Sequence, residues 1–221
     1  MDEPHADADV GVVADRGDRR PAVPGAPALG TAMLVGAVCG LAWAAAFRGW
    51  MASIAGGASA FGWAGTFLAV LLPGVVAGGL LGLAEAIRRR GGRPHWRWLA
   101  LAPLAFAVAP LLLPGAIEAL LTQALGGGAI AVPLAAIAGG FALSGRGSLW
   151  ARIPLGVLAV AFAGALVATT AVVGGIRFSL DQPRGAWAAT LAASAFAVLA
   201  LAASIPFRRV VGVAAPGAGR G

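Results

Sequence analysis

The sequence predicts an all-α integral membrane protein, a bundle of six transmembrane helices with both termini in the cytoplasm. Three observations lead to this prediction: long apolar runs without any charged residue, arginines that fall mostly on one side of those runs, and tryptophans at the ends of the runs. Only 11% of the 221 residues are charged and 59% are hydrophobic. Soluble domains carry about 25% charged residues, so this composition is typical of a chain immersed in lipid.

The six runs have lengths that suit a bilayer. They cover residues 28–47, 61–84, 98–114, 127–143, 153–175 and 186–207. A hydrocarbon core about 30 Å thick requires roughly 17–25 helical residues. Helices are expected because backbone amides in lipid must find their hydrogen-bond partners within the same segment. The polar, acidic segment 1–27 and the glycine-rich segment 208–221 are predicted to be disordered cytoplasmic tails.

The arginines give the orientation. With six spans and a cytoplasmic N-terminus, thirteen of the sixteen basic residues lie on the inner side, and only Arg48, Arg177 and Arg184 lie on the outer side. Basic residues that flank spans stay in the cytoplasm. Tryptophans, which prefer the headgroup level, occur at both predicted interfaces. We therefore expect a multi-pass protein of a bacterial plasma membrane with both ends inside.

Breaks and amphipathic stretches separate the spans. Residues 48–60 predict a short interfacial helix. Pro73 and Gly74 predict a kink in the second span, and three prolines make the third span the least regular. Residues 115–126 predict one amphipathic helix, either flat on the membrane or re-entrant. The fourth span is short and contains Pro133.

Composition excludes several classes of function. The net charge of +7 arises in short loops that topology already explains, so we expect no nucleic-acid partner. Lysine is absent, and the single cysteine, Cys39, lies inside the first span. No catalytic set of nucleophile and base, no phosphate-binding loop and no zinc-binding helix is found in the sequence. We therefore predict a protein that is not an enzyme and has no cofactor or metal.

A candidate polar site lies on the sparse outer face. Arg48, Glu118, Asp181 and Arg184 could converge over the mouth of the bundle, or they could be ordinary surface charges. On the inner face a cluster of arginines is predicted to contact anionic lipid headgroups. This cluster comprises Arg88, Arg89, Arg90, Arg93 and Arg97. Glu85, three and four residues before the first two, predicts a salt bridge there.

Small and hydroxylated residues form two further patterns. Gly36 and Gly40 in the first span, and Gly74, Gly78 and Gly82 in the second, recur every four residues and predict close helix packing. That packing could lie within one chain or between copies of it. The hydroxyls of the last two spans could line a solute path or bond to their own backbone. They are Thr169, Thr170, Thr190, Ser194 and Ser204.

One short motif resembles a known group. The stretch from Arg48 to Met51 reads R-G-W-M, and after a spacer the stretch from Phe61 to Thr66 reads F-G-W-A-G-T. This pattern resembles uncharacterised multi-pass membrane proteins of GC-rich actinobacteria, which differ in the spacer. The resemblance covers about twenty residues, and it implies a source and a topology but no activity.

Two functions from different classes remain open. The first is a non-catalytic accessory, assembly or envelope component that acts through packing and lipid contact, with a protein partner or a second copy as its partner. The alternative is a small carrier or channel for an apolar or weakly polar solute. A continuous water-accessible cavity lined by Thr169, Thr170 and Ser194 would favour the second function, and a solid, glycine-packed bundle would oppose it.

Overall fold

The structure, a computed structural model, describes residues 28–112 and 127–210. All regular secondary structure in these ranges is helical, so the all-α class is confirmed for them. The six helices are α1 (Leu29–Ala55), α2 (Trp63–Arg89), α3 (Trp96–Leu111), α4 (Gly127–Leu143), α5 (Leu149–Gly174) and α6 (Pro183–Ala203). The predictions for residues 1–27, for the amphipathic segment 115–126 with Glu118, and for most of 208–221 lie outside the described residues.

Four of these helices are long and apolar enough to cross a membrane. They are α1, α2, α5 and α6, and all of these except α2 have short continuations at one end. The helices α3 and α4 are apolar but shorter. Length and composition therefore agree with a membrane-embedded bundle.

The predicted interfacial helix after the first span is wrong. The helix α1 continues without interruption to Ala55, about two turns past the predicted end of the span at residue 47. Trp50 and Ile54, which were expected to lie on a lipid surface, are instead 4% and 8% exposed and belong to the core. In the sequence the apolar run ends at Arg48 because arginine is charged. The helix can nevertheless continue through this residue, because a long arginine side chain can extend along apolar surface to polar groups at the helix end.

Prolines change the winding of two helices. In α2, residues Trp63–Leu71 are π-helical, and α-helical winding starts at Leu72, directly before Pro73. Pro73 has no backbone N–H to donate. The change from π-helical to α-helical hydrogen bonding beside it therefore breaks fewer hydrogen bonds than it would beside another residue. In α3, residues Trp96–Leu104 form a 3₁₀ helix that contains Pro103. The third span is thus the least regular, as predicted.

The helices alternate in direction. One end of the bundle, which we call the basic end, holds the starts of α1, α3 and α5 and the ends of α2, α4 and α6. Contacts from Arg88 to the Arg209 carbonyl and from Phe141 to Phe207 join segments there. Nine of the twelve arginines in the described ranges lie at this end, and the other three lie at the opposite, distal end.

The closest helix pair is α1 with α2, and glycines make that approach possible. A Cβ added at Gly78 would lie 2.8 Å from the Cα of Gly40, and one at Gly40 would lie 2.9 Å from the Cα of Gly78. A Cβ at Gly74 would lie 2.5 Å from the Ala44 Cβ. The two glycine rows therefore face each other within one chain and bring backbone against backbone. We call this contact the glycine seam.

Small residues fill the interior and large apolar residues cover the outside. Most buried hydrophobic residues of the described ranges are alanines, whereas Leu34, Val160 and Val172 are 66%, 74% and 81% exposed. Gly139 and Gly140 let α4 approach α5 and α6 in the same way as the glycine seam. A water-soluble protein rarely exposes so much continuous apolar surface, so this distribution agrees with helices surrounded by lipid.

The glycine seam yields a direct prediction. Gly78→Ala adds a methyl group where two backbones meet, and we expect it to lower the stability of the detergent-solubilised protein by about 1–3 kcal/mol. The matched control is Gly164→Ala in α5, because nothing lies within 4 Å of its Cβ position. Alanine favours helix by about 0.5–1 kcal/mol over glycine, so this control should be neutral or stabilising. Thermal unfolding of both variants measures the difference, and equal midpoints would contradict the seam.

Candidate ligand-binding cavities

The described residues of the predicted outer-face site, Arg48, Asp181 and Arg184, lie at the distal end in different local settings. The Arg48 guanidinium donates to the Ser59 Oγ at 3.0 Å and to the Ala60 carbonyl oxygen at 2.7 Å, and it lies 4.3 Å from the ring centre of Phe61. Arg48 thus ties the end of α1 to the connection that leads into α2. Its role is local and structural.

Asp181 is the acidic member of the predicted site that the structure describes. It lies in the turn between α5 and α6 and is exposed. Hydrogen bonding with Ser179, with its own backbone N–H and with Gln182 lowers the pKa of Asp181, so the carboxylate stays ionised. Glu118, the other predicted acid, lies outside the described residues.

Arg184, the remaining member, lines a cavity together with Arg177. This cavity, which we call the vestibule, has a volume of 640 Å³ and lies at the distal end between the ends of α1 and α5 and the start of α6. Arg184 also lies 5.9 Å from the ring centre of Phe178. The rest of the described lining is mainly apolar and includes Trp50, Val173 and Leu191.

A second cavity, which we call the chamber, adjoins the vestibule. It has a volume of 620 Å³ and is bounded by parts of α1, α2, α3, α4 and α5. Its described lining is almost wholly apolar and includes five aromatic side chains: Trp43, Phe47, Trp50, Phe106 and Phe162. Ligand cavities typically have volumes of about 300–1,000 Å³ and predominantly apolar walls, so the chamber is suited to an apolar molecule.

Trp50 stands between the two cavities. It lines both of them, as do Ile54, Ala55 and Val173. Its indole Nε1 is buried and has no hydrogen-bond partner among the described residues. An unpaired buried donor lowers the stability of the fold by about 1–3 kcal/mol. Such a group is explained either by a functional role or by an acceptor outside the described residues.

The hydroxyls of α5 and α6 do not form a polar path. Thr169 donates to the Ala165 carbonyl at 2.8 Å, and Thr170 donates to the Leu166 carbonyl at 3.3 Å. Thr190, Ser194 and Ser204 likewise donate to backbone carbonyls three or four residues earlier. Of the two open interpretations, the structure supports bonding to the local backbone. Thr169 nevertheless lies on the wall of the chamber.

Trp43 fixes the wall between the chamber and a third cavity. Its Nε1–H donates to the Ala195 carbonyl oxygen of α6 at 2.7 Å, and its ring packs on Phe47 and on the edge of Phe106. The third cavity has a volume of 410 Å³ and runs along the glycine seam beside α6. Trp43 lines both cavities, so its bond to α6 holds them apart.

The predicted arginine cluster lies at the basic end. Glu85 pairs with Arg88 at 2.8 Å and with Arg89 at 2.6 Å, which confirms the predicted salt bridge. Arg90 follows directly, and Arg93 and Arg97 are exposed in and after the turn into α3. Two members of the cluster are thus partly neutralised, and the last two face outward. Among the described residues, no group of three or more His, Cys, Asp or Glu side chains lies together as metal ligands would.

Comparisons with known proteins add no relative to this description. No protein-family model matches the chain, and searches of curated proteins and of solved structures find no match. The class that the fold defines is therefore an apolar helical bundle with half-open cavities between its helices, and its function must be argued from these cavities.

Sequence reasoning missed two residues of the vestibule. Arg177 was recognised as an outer charge but was not placed in the polar site, since nothing in the sequence shows that the turn after α5 brings it to the same cavity as Arg184. Trp50 was assigned to the membrane surface because indoles at span ends usually lie there. The four exposed tryptophans, Trp63, Trp98, Trp150 and Trp187, do lie at helix ends as expected.

The hydrogen bond from Trp43 can be tested directly. Trp43→Phe keeps an aromatic ring against Phe106 but removes the donor to the Ala195 carbonyl. We expect it to lower stability by about 0.5–1.5 kcal/mol. The control is Trp63→Phe, because Trp63 is 80% exposed. Thermal unfolding in detergent should separate the two variants, and a neutral Trp43→Phe would show that this bond does not hold α1 to α6.

Proposed function

We propose that this chain is a six-span integral protein of a bacterial plasma membrane, with both ends at the cytoplasmic face. The apolar exterior supports membrane embedding, and the gathering of arginines at the basic end supports a cytoplasmic position for that end. The shorter helices α3 and α4 complete the alternation of directions, and α4 has 17 residues, the lower limit for a span.

Within this frame we propose a non-catalytic binding function, in which the chamber holds a mainly apolar molecule. The observation that favours this function is the chamber itself, 620 Å³ bounded by five helices and lined by aromatic rings. An aqueous channel is not supported, because the hydroxyls that would line its path are bonded to backbone carbonyls. A carrier or a receptor for a hydrocarbon-like compound fits these walls best.

The second candidate is an accessory or assembly component that acts through contact with a partner protein and with anionic lipid. The exposed Arg93 and Arg97 at the basic end favour lipid contact. The glycine rows already contact each other within the chain, so a second copy that used them would have to separate α1 from α2. Purification with native partners followed by mass spectrometry would favour this candidate if a stoichiometric protein is found.

The topology makes a separate prediction. In a Cys39→Ala background, Ser148→Cys should be labelled only from the cytoplasmic side, and Gln182→Cys only from the outside. Both positions are exposed in connections at opposite ends of the bundle. Labelling of intact cells with a membrane-impermeant maleimide measures this, and lysed cells provide the control for reactivity. The reverse pattern would contradict the orientation.

The chamber can be tested with 1-bromoundecane, an apolar molecule whose bromine quenches tryptophan on contact. The reference protein carries Phe at Trp63, Trp98, Trp150 and Trp187. Of the three remaining tryptophans, Trp43 and Trp50 line the chamber, whereas Trp96 is buried at the basic end, so quenching in the chamber reports on Trp43 and Trp50. In lipid nanodiscs we expect saturable quenching. It should be lost in Ala165→Phe, which fills the chamber, and kept in Ala161→Phe, one turn away and outside the lining.

Both alanines are exposed on α5, so neither substitution crowds the core. Matching thermal midpoints will establish that both variants fold. Quenching that does not saturate, or that is unaffected by Ala165→Phe, would refute ligand binding in the chamber.

A further inference from the structure

We infer that the ligand of this bundle is a single-chain anionic amphiphile, with its charged head in the vestibule at Arg177 and Arg184 and its tail in the chamber. This inference rests on the proposed binding function of the chamber and adds the chemical class of the ligand.

The charged side chains in the described lining of the vestibule are all basic. Arg177 and Arg184 both line it, and no carboxylate belongs to its described lining. Within residues 28–112 and 127–210 neither arginine forms an ion pair, although Arg184 packs near the Phe178 ring. Asp181 lies between them in sequence, but it is exposed in the turn and is not part of the cavity wall. A guanidinium group can donate two parallel N–H bonds to two oxygens of a carboxylate or of a phosphate, so two such groups on one cavity suit either anion.

The walls of the vestibule argue against a small hydrophilic anion. Ile54, Val173 and Leu191 line it beside the arginines, and the tryptophans Trp50 and Trp187 add large apolar faces. A free inorganic anion would gain nothing from these walls, whereas the first methylene groups of an alkyl chain would be removed from water by them. A neutral hydrocarbon would in turn leave both guanidinium groups without a counter-charge.

The chamber and the vestibule adjoin, so a single ligand can occupy both. They share Trp50, Ile54, Ala55 and Val173 as a common wall, so a head in the vestibule and a tail in the chamber are separated only by these side chains. Trp50 belongs to that wall, and its Nε1–H is buried without a hydrogen-bond partner among the described residues.

The test compares two probes that differ only in the head. The full-length reference protein in zwitterionic nanodiscs is titrated with 11-bromoundecanoate, ionised, and with 11-bromoundecanol, which is neutral. We expect the carboxylate to quench Trp43 and Trp50 with at least about tenfold higher affinity, because charge-assisted hydrogen bonds form only with the ionised head. In the double variant Arg177→Gln, Arg184→Gln this preference should disappear, while alcohol binding stays unchanged.

Two control variants separate a specific site from general attraction. Arg48→Gln removes one positive charge at the same end of the bundle but outside the vestibule lining, and the preference should survive it. The double lysine variant Arg177→Lys, Arg184→Lys keeps the charge and should keep most of the preference. Loss of the preference in Arg48→Gln would overturn the assignment to the vestibule.

The remaining outcomes distinguish this inference from the proposed function. Equal affinity of the reference protein for acid and alcohol, with binding still blocked by Ala165→Phe, would overturn the anionic head but keep the apolar chamber. Absence of saturable binding by bromoundecane, alcohol and acid would overturn both. Competition by inorganic phosphate at concentrations similar to those of the acid would show a free-anion site and overturn the amphiphile.

Discussion

The contact on which the rest of the bundle depends is the backbone-to-backbone approach of α1 and α2. Gly36, Gly40, Gly74, Gly78 and Gly82 leave no room between these helices for even one methyl group. In lipid there is little hydrophobic gain from helix association, so dispersion between closely packed backbones is the main attraction. Because α1 is held at this distance, its large side chains, Trp43, Phe47 and Trp50, lie on the other faces and meet α3, α5 and α6.

The cavities follow from this unequal packing. Glycine and alanine seams draw some helices together, whereas aromatic rings hold others apart, and empty volume remains where the two kinds of contact adjoin. The hydroxyls of Thr169 and Thr170 are bonded to local carbonyls, so they add little polar surface to the volume that remains. Charged groups stay at the two ends, where arginine side chains bond to helix ends and loops. The vestibule differs because, within the described part of the chain, neither Arg177 nor Arg184 donates a hydrogen bond to a helix end or a loop.

Sequence patterns identified part of the candidate site. Arg184 was found because charges on the outer face are few, and the glycine rows were found because their spacing repeats every helical turn. The sequence groups Arg48 and Asp181 with Arg184 by side alone. In the structure each of the two is hydrogen-bonded within its own loop, and neither belongs to the described lining of the vestibule. The chamber was out of reach of sequence, because it is bounded by five helices whose lateral order no local pattern encodes.

The sequence by itself determined that the described chain is all-helical and that its long helices are apolar. Long uncharged apolar runs favour helices in a low-dielectric surrounding, because a helix satisfies its backbone hydrogen bonds internally. Only the tertiary structure decided which glycines meet, how far α1 extends, and that Trp50 is buried with Arg177 and Arg184 nearby in space. The physical reason is that hydropathy is a property of each segment, whereas lateral packing depends on the shapes of side chains from several helices at once.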